Sequence, residues 1–218
     1  MEEKLEIFYV RHADAVDPAI DGRDVCDREV TALGKKQLEL LGKRFEGCHF
    51  DAVLSSPLVR CVETAAAICN SLDERPVMEL VPELIERGTT PGYAGCSLDY
   101  LSRYYDKLTV CRDNIFGGEG ADFPNKEKSE AMERARAVIA YLKKRFTFGQ
   151  KILVVSHACF GNSFLPSAVS IREEEFRFTL FNTSVSKVKY TPDGVERISF
   201  MNDCSHVLPI MPEFQFEI

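Results

Sequence analysis

Two of the four histidines in this 218-residue chain sit just past apolar runs. His12 follows Leu5 to Val10 with Arg11 between, and His157 follows Ile152 to Val155 with Ser156 between. In open α/β sheets ligands bind beyond the carboxyl ends of the strands, so these positions are where chemistry is expected first. A neutral imidazole held among guanidinium groups can attack phosphorus and form a phosphohistidine, splitting one hard hydrolysis into two easier steps. Charge developing on the equatorial oxygens calls for forked, permanently charged donors. Arg11 is one candidate, and Arg60, in the first turn of a helix predicted to open at Ser56-Pro57, is another. The free N–H groups at that helix start would add to the cradle. His157 is open to three roles: a packed core histidine, a metal ligand, or a second electrostatic partner for the phosphoryl group.

A metal is not expected, because the chain has no His-x-x-x-His or Cys-x-x-Cys pair and His12, His157 and His206 lack a ligand-rich helix behind them. Cys159 is a poor nucleophile candidate, since a phosphate-binding thiolate wants a Gly-rich loop and a nearby Arg, and none follows until Arg172. Ser55 and Ser56 lack a Gly-x-Ser-x-Gly elbow. An alkoxide leaving group also needs a proton from a positioned carboxylic acid. Glu83 and Glu86 supply two, three residues apart; Pro82 and Gly88 leave little room for helix, so one of the two is expected to face the site.

The elements that would position these groups can be read from spacing. Leu5 to Val10 is a β-rich run that stops at a polar loop. Thr31 reads as an N-cap, followed by Leu38, Leu41 and Phe45 at helical spacing until Gly47. The plan repeats: Ala52 to Ser55 is a short strand, Ser56 an N-cap with Pro57 at the first helical position, and Val62, Ala65, Ala66, Cys69 and Leu72 one apolar face. Residues 73–130 carry scattered Pro and Gly and read as an irregular insertion, a candidate lid with one short helix near Leu98 to Tyr105. Within it Tyr93, Tyr100, Tyr104, Tyr105, Arg87, Arg103 and Lys107 are available to line a pocket. Met132, Ala135, Ile139, Leu142 and Phe146 restore helical spacing before the strand Ile152 to Val155. Val185 to Tyr190 and Val195 to Phe200 then form a hairpin about Pro192-Asp193-Gly194. The expected architecture is a three-layer α/β/α domain over residues 1–218, with a mostly parallel central sheet, an antiparallel edge strand and a lid-like insertion.

Composition narrows the partners. With 45% hydrophobic and 28% charged residues, the chain has the make-up of an ordinary folded domain rather than a disordered or fibrous one. A net charge of -7, with no basic block longer than Lys143-Lys144-Arg145, argues against nucleic acid or an anionic membrane as partner. Eight cysteines in a chain of this size read as reduced thiols, and Leu5 to Val10 is too short for a signal or a membrane span, so the expected compartment is cytoplasmic. Nothing in one chain encodes an oligomeric state.

Four segments, in order, resemble the signatures of the histidine phosphatase superfamily, which includes the phosphoglycerate mutases. They are Arg11-His12-Ala13, Leu54-Ser55-Ser56-Pro57-Leu58-Val59-Arg60 continuing to Ala65, Leu84-Ile85-Glu86, and Val154-Val155-Ser156-His157. Thr31 to Gln37, Leu180 to Ser184 and Ser205 to Leu208 are similar to further family segments, so the resemblance spans nearly the whole chain. It implies His12 as the phosphorylated nucleophile, Arg11 and Arg60 on the phosphoryl oxygens, and His157 stabilising the transferring group. Glu86 would protonate the leaving group and then activate water, with Glu83 as runner-up; the Ala158 N–H would add a donor. No metal or other cofactor is implied.

Ala13 stands where the family usually has Gly, which costs little if φ there is negative. The opening Arg-His-Ala-Asp-Ala is similar to the small phosphohistidine phosphatase branch, which lacks an insertion like residues 73–130. The leading expectation is a metal-independent phosphatase acting on a phosphorylated small molecule. The alternatives are a phosphoglycerate mutase, which returns the phosphoryl group to a second hydroxyl, and a non-catalytic phosphate-binding domain. Sugar phosphates, other phosphorylated metabolites and phosphoprotein are all compatible with the residues.

Overall fold

A computed structural model of the chain describes residues 4–16, 27–89, 93, 95–113, 115–116, 124–172 and 176–211. Strand β1 (Leu5–Arg11) is followed by α1 (Ala32–Phe45), β2 (Ala52–Ser55), α2 (Val59–Cys69) and β3 (Met78–Leu80). A 3-10 turn (Pro82–Leu84), α3 (Leu98–Leu101) and β4 (Leu108–Val110) come next, then α4 (Lys128–Arg145), β5 (Lys151–Ser156) and α5 (Ala158–Ser167). The hairpin β6 (Val185–Tyr190) and β7 (Glu196–Asp203) completes the sheet.

The sheet has seven strands in the order β4-β3-β2-β5-β1-β6-β7. The first five are parallel, and the hairpin adds an antiparallel edge two strands deep. Alternation along the central strands divides the core. Ile7, Tyr9, Ile152 and Val154 face α4 and α5, while Val10, Leu153 and Val155 face α1 and α2. Both faces of β5 are buried, which is why Ile152 to Val155 reads as an unbroken apolar run.

Thr31 caps α1 as expected, its Oγ1 accepting from Gly34 N at 3.0 Å and donating to Asp14 Oδ2. The N-cap expected at Ser56 is a correction. The helix begins at Val59, and its first N–H donates to Asp27 Oδ1 at 2.5 Å, a cap supplied from another loop. The Ser56 hydroxyl pairs with His157 Nε2 at 2.8 Å and accepts from Leu58 N, ahead of the helix, at 3.4 Å.

Residues 73–130 also differ from the irregular insertion expected. β3 and β4 within them are two parallel strands of the main sheet, each three residues long and so too short to show a pattern. The short helix there is confined to Leu98–Leu101. The small-residue stretch after His157 is α5, a helix buried on most sides and hence without a polar face. Its Gly161 is required by packing, because a Cβ there would lie 2.5 Å from Leu180 Cδ1 and 3.0 Å from the Tyr9 ring.

Candidate active site

Four neighbouring strands deliver the candidate residues to one end of the sheet. In the parallel pair β1–β5, Arg11 lies opposite Ser156, so the next residues, His12 and His157, emerge side by side. Their ring centroids are 5.1 Å apart in an edge-to-face arrangement. On the other flank of β5, Ser55 lies opposite Val155, which puts Ser56 beside His157. The 3-10 turn after β3 is tied to β5 by Ser156 Oγ donating to Leu84 O at 2.7 Å, and this brings Glu86 over the first turn of α5.

His12 is 8% exposed. Its backbone N–H donates to Ser156 O at 2.9 Å and its ring Nδ1–H to Ala13 O at 2.7 Å. With the proton fixed on Nδ1, the lone pair on Nε2 is the free one. Burial, then the Arg60 and Arg11 guanidinium charges, hold its pKa well below the usual histidine value, so the ring is neutral at physiological pH. Ala13 is not among the described residues with positive φ, so a methyl group there carries no backbone strain.

His157 is fully buried, and burial followed by Arg60 keeps it neutral as well. Arg60 Nη2 donates to His157 Nδ1 at 3.2 Å, which leaves Nε2–H to donate to Ser56 Oγ at 2.8 Å. Tyr9 OH donates to the His157 carbonyl at 2.7 Å, and the Cys61 thiol packs 3.4 Å from Nε2. Burial raises the Cys61 thiol to a value at which it stays protonated.

Arg11 Nη1 donates to Leu180 O at 2.5 Å, while its Nε is buried without a hydrogen-bond partner. A buried guanidinium N–H left unpaired costs free energy that an anion would recover. The two carboxylates separate clearly. Glu86 Oε1 accepts from Phe160 N at 2.8 Å and Arg87 N at 2.9 Å, and its Oε2 from Cys159 N at 3.1 Å, so it caps α5 from the rim of the site. Glu83 is buried with its carboxyl facing the main chain of Ile115 and Phe116, and burial raises its pKa. Arg134, fully buried and 4.4 Å above the Phe160 ring, donates to Glu83 O and Ile85 O at 3.0 Å each and to Asn125 Oδ1 at 2.5 Å. That clamp fixes the backbone immediately before Glu86. Ala158 opens α5 between His157 and the amides that Glu86 takes.

The remaining histidines stand apart: His49 is exposed near Asp51, and His206 bridges Arg44 and Thr183 Oγ1 behind the site. Among the described residues no cluster of three or more His, Cys, Asp or Glu could hold a metal ion, and no helix is long and apolar enough to cross a membrane. The seven described cysteines are free. Of the aromatic and basic residues considered for a pocket, Tyr105 and Lys107 are engaged by the Pro76 and Arg75 carbonyls at the amino end of β3, away from the histidines. Ser56, Arg134, Tyr9 and Cys61 were not singled out as site residues from the sequence. Ser56 and Cys61 carried a signal, since both lie within four residues of Arg60 in the same segment.

Comparison with known proteins bears on the family and the fold. The sequence model of the histidine phosphatase superfamily (branch 1) matches residues 7–203. A broad-specificity phosphatase of Saccharomyces cerevisiae is 26% identical over 207 residues, covering 89% of this chain and 83% of that one. A probable phosphoglycerate mutase of Yersinia enterocolitica is 27% identical over 197 residues, covering 85% of each. Among solved structures, phosphoserine phosphatase of Entamoeba histolytica in complex with 3-phosphoglyceric acid aligns with a TM-score of 0.66 at 20% identity, over 94% of this chain and 100% of that one. That likeness establishes the shared fold.

Proposed function

The chain belongs to the histidine phosphatase superfamily, and from that membership and its site we propose that it is a metal-independent phosphomonoesterase working through phosphohistidine on His12. The observation that carries the reading is the state of His12. Its ring is neutral, its proton is locked on Nδ1 by the Ala13 carbonyl, which leaves Nε2 free, and the Arg60 and Arg11 charges act on the ring.

In the first half-reaction Nε2 attacks phosphorus, the ester P–O bond breaks, and the leaving oxygen takes a proton from Glu86. Arg11 and Arg60 bind the equatorial oxygens, and the unpaired Arg11 Nε–H gains an acceptor there. His157 adds a fixed dipole on the same side. In the second half-reaction Glu86 takes a proton from water, the resulting hydroxide attacks phosphorus, and the P–N bond to His12 breaks to release phosphate. Glu83, turned toward Ile115 and Phe116, has no part in either step.

The test is p-nitrophenyl phosphate hydrolysis with and without EDTA, run beside His12→Ala. Turnover that survives the chelator and is lost in the variant, with an acid-labile phosphate trapped on His12 in the wild type, is the expected result. Equal turnover in both proteins would refute it. Following phosphate release against phosphoryl return to a second alcohol separates hydrolysis from mutase chemistry.

A further inference from the structure

Helix α1 buries a face made of Gly34, Gln37, Leu41, Gly42 and Phe45, and Gln37 is the one polar side chain on it. It is 1% exposed. A leucine would fill that position without burying a polar group, whereas a buried amide is tolerated only when its polar atoms are bonded. Gln37 Oε1 accepts from Asp14 N at 2.8 Å, and its Nε2 donates to the weak acceptor Met211 Sδ at 3.1 Å. The orientation of the amide follows from the first partner, since a backbone N–H can only donate.

The Asp14 N–H belongs to the same peptide unit as the Ala13 carbonyl. That carbonyl accepts from His12 Nδ1–H at 2.7 Å and so decides which ring nitrogen carries the proton. A trans peptide is planar, with its C=O and N–H pointing opposite ways, so holding the N–H toward α1 holds the C=O toward the ring. Were this peptide turned over, its N–H would turn toward Nδ1 and the proton would sit on Nε2. The ring would then have no lone pair to offer phosphorus.

The flanking peptide units are anchored without Gln37. The preceding one is held by Thr64 Oγ1, which accepts from Ala13 N at 3.0 Å, and by Asn182 Nδ2 and Thr183 N, which donate to His12 O at 3.0 and 3.3 Å. The following one is held by Thr31 N, which donates to Asp14 O at 3.0 Å. Gly34 packs so close to that oxygen that a Cβ there would lie 2.2 Å from it. Between them, the unit that touches the His12 ring takes the acceptor for its N–H from Gln37.

Resting on the phosphatase reading above, we propose that Gln37 is a positioning residue for the nucleophile: by holding the Ala13–Asp14 peptide it keeps the His12 proton on Nδ1 and the Nε2 lone pair available for attack. It acts through the backbone and does not touch substrate. Hydrogen bonds in a chain polarise one another, so an acceptor on the Asp14 N–H also strengthens the Ala13 carbonyl as the partner of Nδ1–H.

The experiment reads the ring and the reaction separately, on the full chain at neutral pH. ¹⁵N spectra of the His12 ring report which nitrogen is protonated, and rapid-mix kinetics with p-nitrophenyl phosphate report phosphorylation of His12. In the wild type the protonated nitrogen should be Nδ1. Gln37→Leu removes the acceptor, so the two ring signals should move toward each other as the tautomers mix. The phosphorylation rate should fall about tenfold, the upper end of what one net hydrogen bond supplies, with KM unchanged. Gln37→Glu keeps an acceptor oxygen for Asp14 N in either protonation state and should restore both readings, a rescue that a merely structural role for the amide would not give. Gln37→Met, of similar length but without the acceptor, takes the place of Gln37→Leu if the latter does not fold. A wild-type ring protonated on Nε2, ring signals or a phosphorylation rate unmoved by removal of the acceptor, or a Gln37→Glu protein no nearer the wild type than the variant without the acceptor overturns the positioning role. No wild-type turnover overturns the phosphatase reading, while the ring signals alone still decide whether Gln37 holds the tautomer.

Discussion

Glu86 is asked to do two things, and replacing it separates them. Its carboxylate accepts three backbone N–H bonds, from Arg87, Cys159 and Phe160, at 2.9, 3.1 and 2.8 Å. Glu86→Gln keeps one acceptor oxygen, for Arg87 and Phe160, and turns an amide NH₂ toward the Cys159 N–H. One donor-donor contact costs roughly 1–3 kcal/mol in a buried setting. Water reaches the exposed Cys159, so the lower end, about 1 kcal/mol, is expected. A domain stable by roughly 5–15 kcal/mol stays folded after that loss. The catalytic effect is larger and depends on the leaving group. With alkyl phosphates, loss of the proton donor should lower kcat by about 10²–10⁴-fold. With p-nitrophenyl phosphate, whose phenolate leaves without a proton, phosphorylation of His12 should persist while water attack slows. Rapid-mix kinetics should then show a burst of nitrophenolate and build-up of phosphohistidine, absent with alkyl phosphates. Equal losses on both substrates without a burst would mean that Glu86 only caps α5, and the same signature from Glu83→Gln would move the acid to Glu83.

Ser56→Ala removes the acceptor of the His157 Nε2–H in a fully buried site, and should cost roughly 1–3 kcal/mol and release the ring tautomer; unchanged ¹⁵N shifts of His157 would refute the role. Arg134→Lys cannot rebuild the bonds to Glu83 O, Ile85 O and Asn125 Oδ1 or the stacking on Phe160, and about 3–5 kcal/mol should be lost in urea unfolding. Gly161→Ala should cost about 1–3 kcal/mol through its clash with Leu180 and Tyr9, read from the urea midpoint. Acid should destabilise the fold before any carboxylate titrates fully. His12 and His157 are held well below 6.5 by burial, so below that pH the unfolded chain binds protons the folded one refuses, and stability falls as pH falls. His206, lowered to about 4 by burial and Arg44, contributes roughly 3 kcal/mol of that loss between pH 6.5 and 4, and His206→Gln should remove about this much of the slope in pH-dependent urea unfolding.

The parts of this molecule that could be read from sequence are those where one physical constraint acts on consecutive residues. β5 is buried on both faces and β1 is buried but for Glu6, Phe8 and Arg11, so Ile152 to Val155 and Leu5 to Val10, with Glu6 as its one charged residue, announce themselves as largely apolar runs, and each places a histidine at its exit. The same logic finds α1 and α4, whose one-sided burial leaves helical spacing. β3, β4 and α5 escaped for the opposite reason. A three-residue strand has no period, and a helix buried on most sides has no polar face to mark it. Site residues divide along a similar line. Arg11, His12, Arg60 and His157 lie on or next to legible elements, whereas the choice between Glu83 and Glu86 depends on how the chain turns after β3. That turn is set by Arg134, about fifty residues on, which holds the Glu83 and Ile85 carbonyls from inside the core. Arg134 looks like an ordinary helix-surface residue in sequence, and its full burial is made tolerable by three carbonyl oxygens from two loops that accept from its Nη1 and Nη2. A buried charge of this kind leaves no local trace in the chain, since the groups that make it tolerable come together only when the sheet has already assembled.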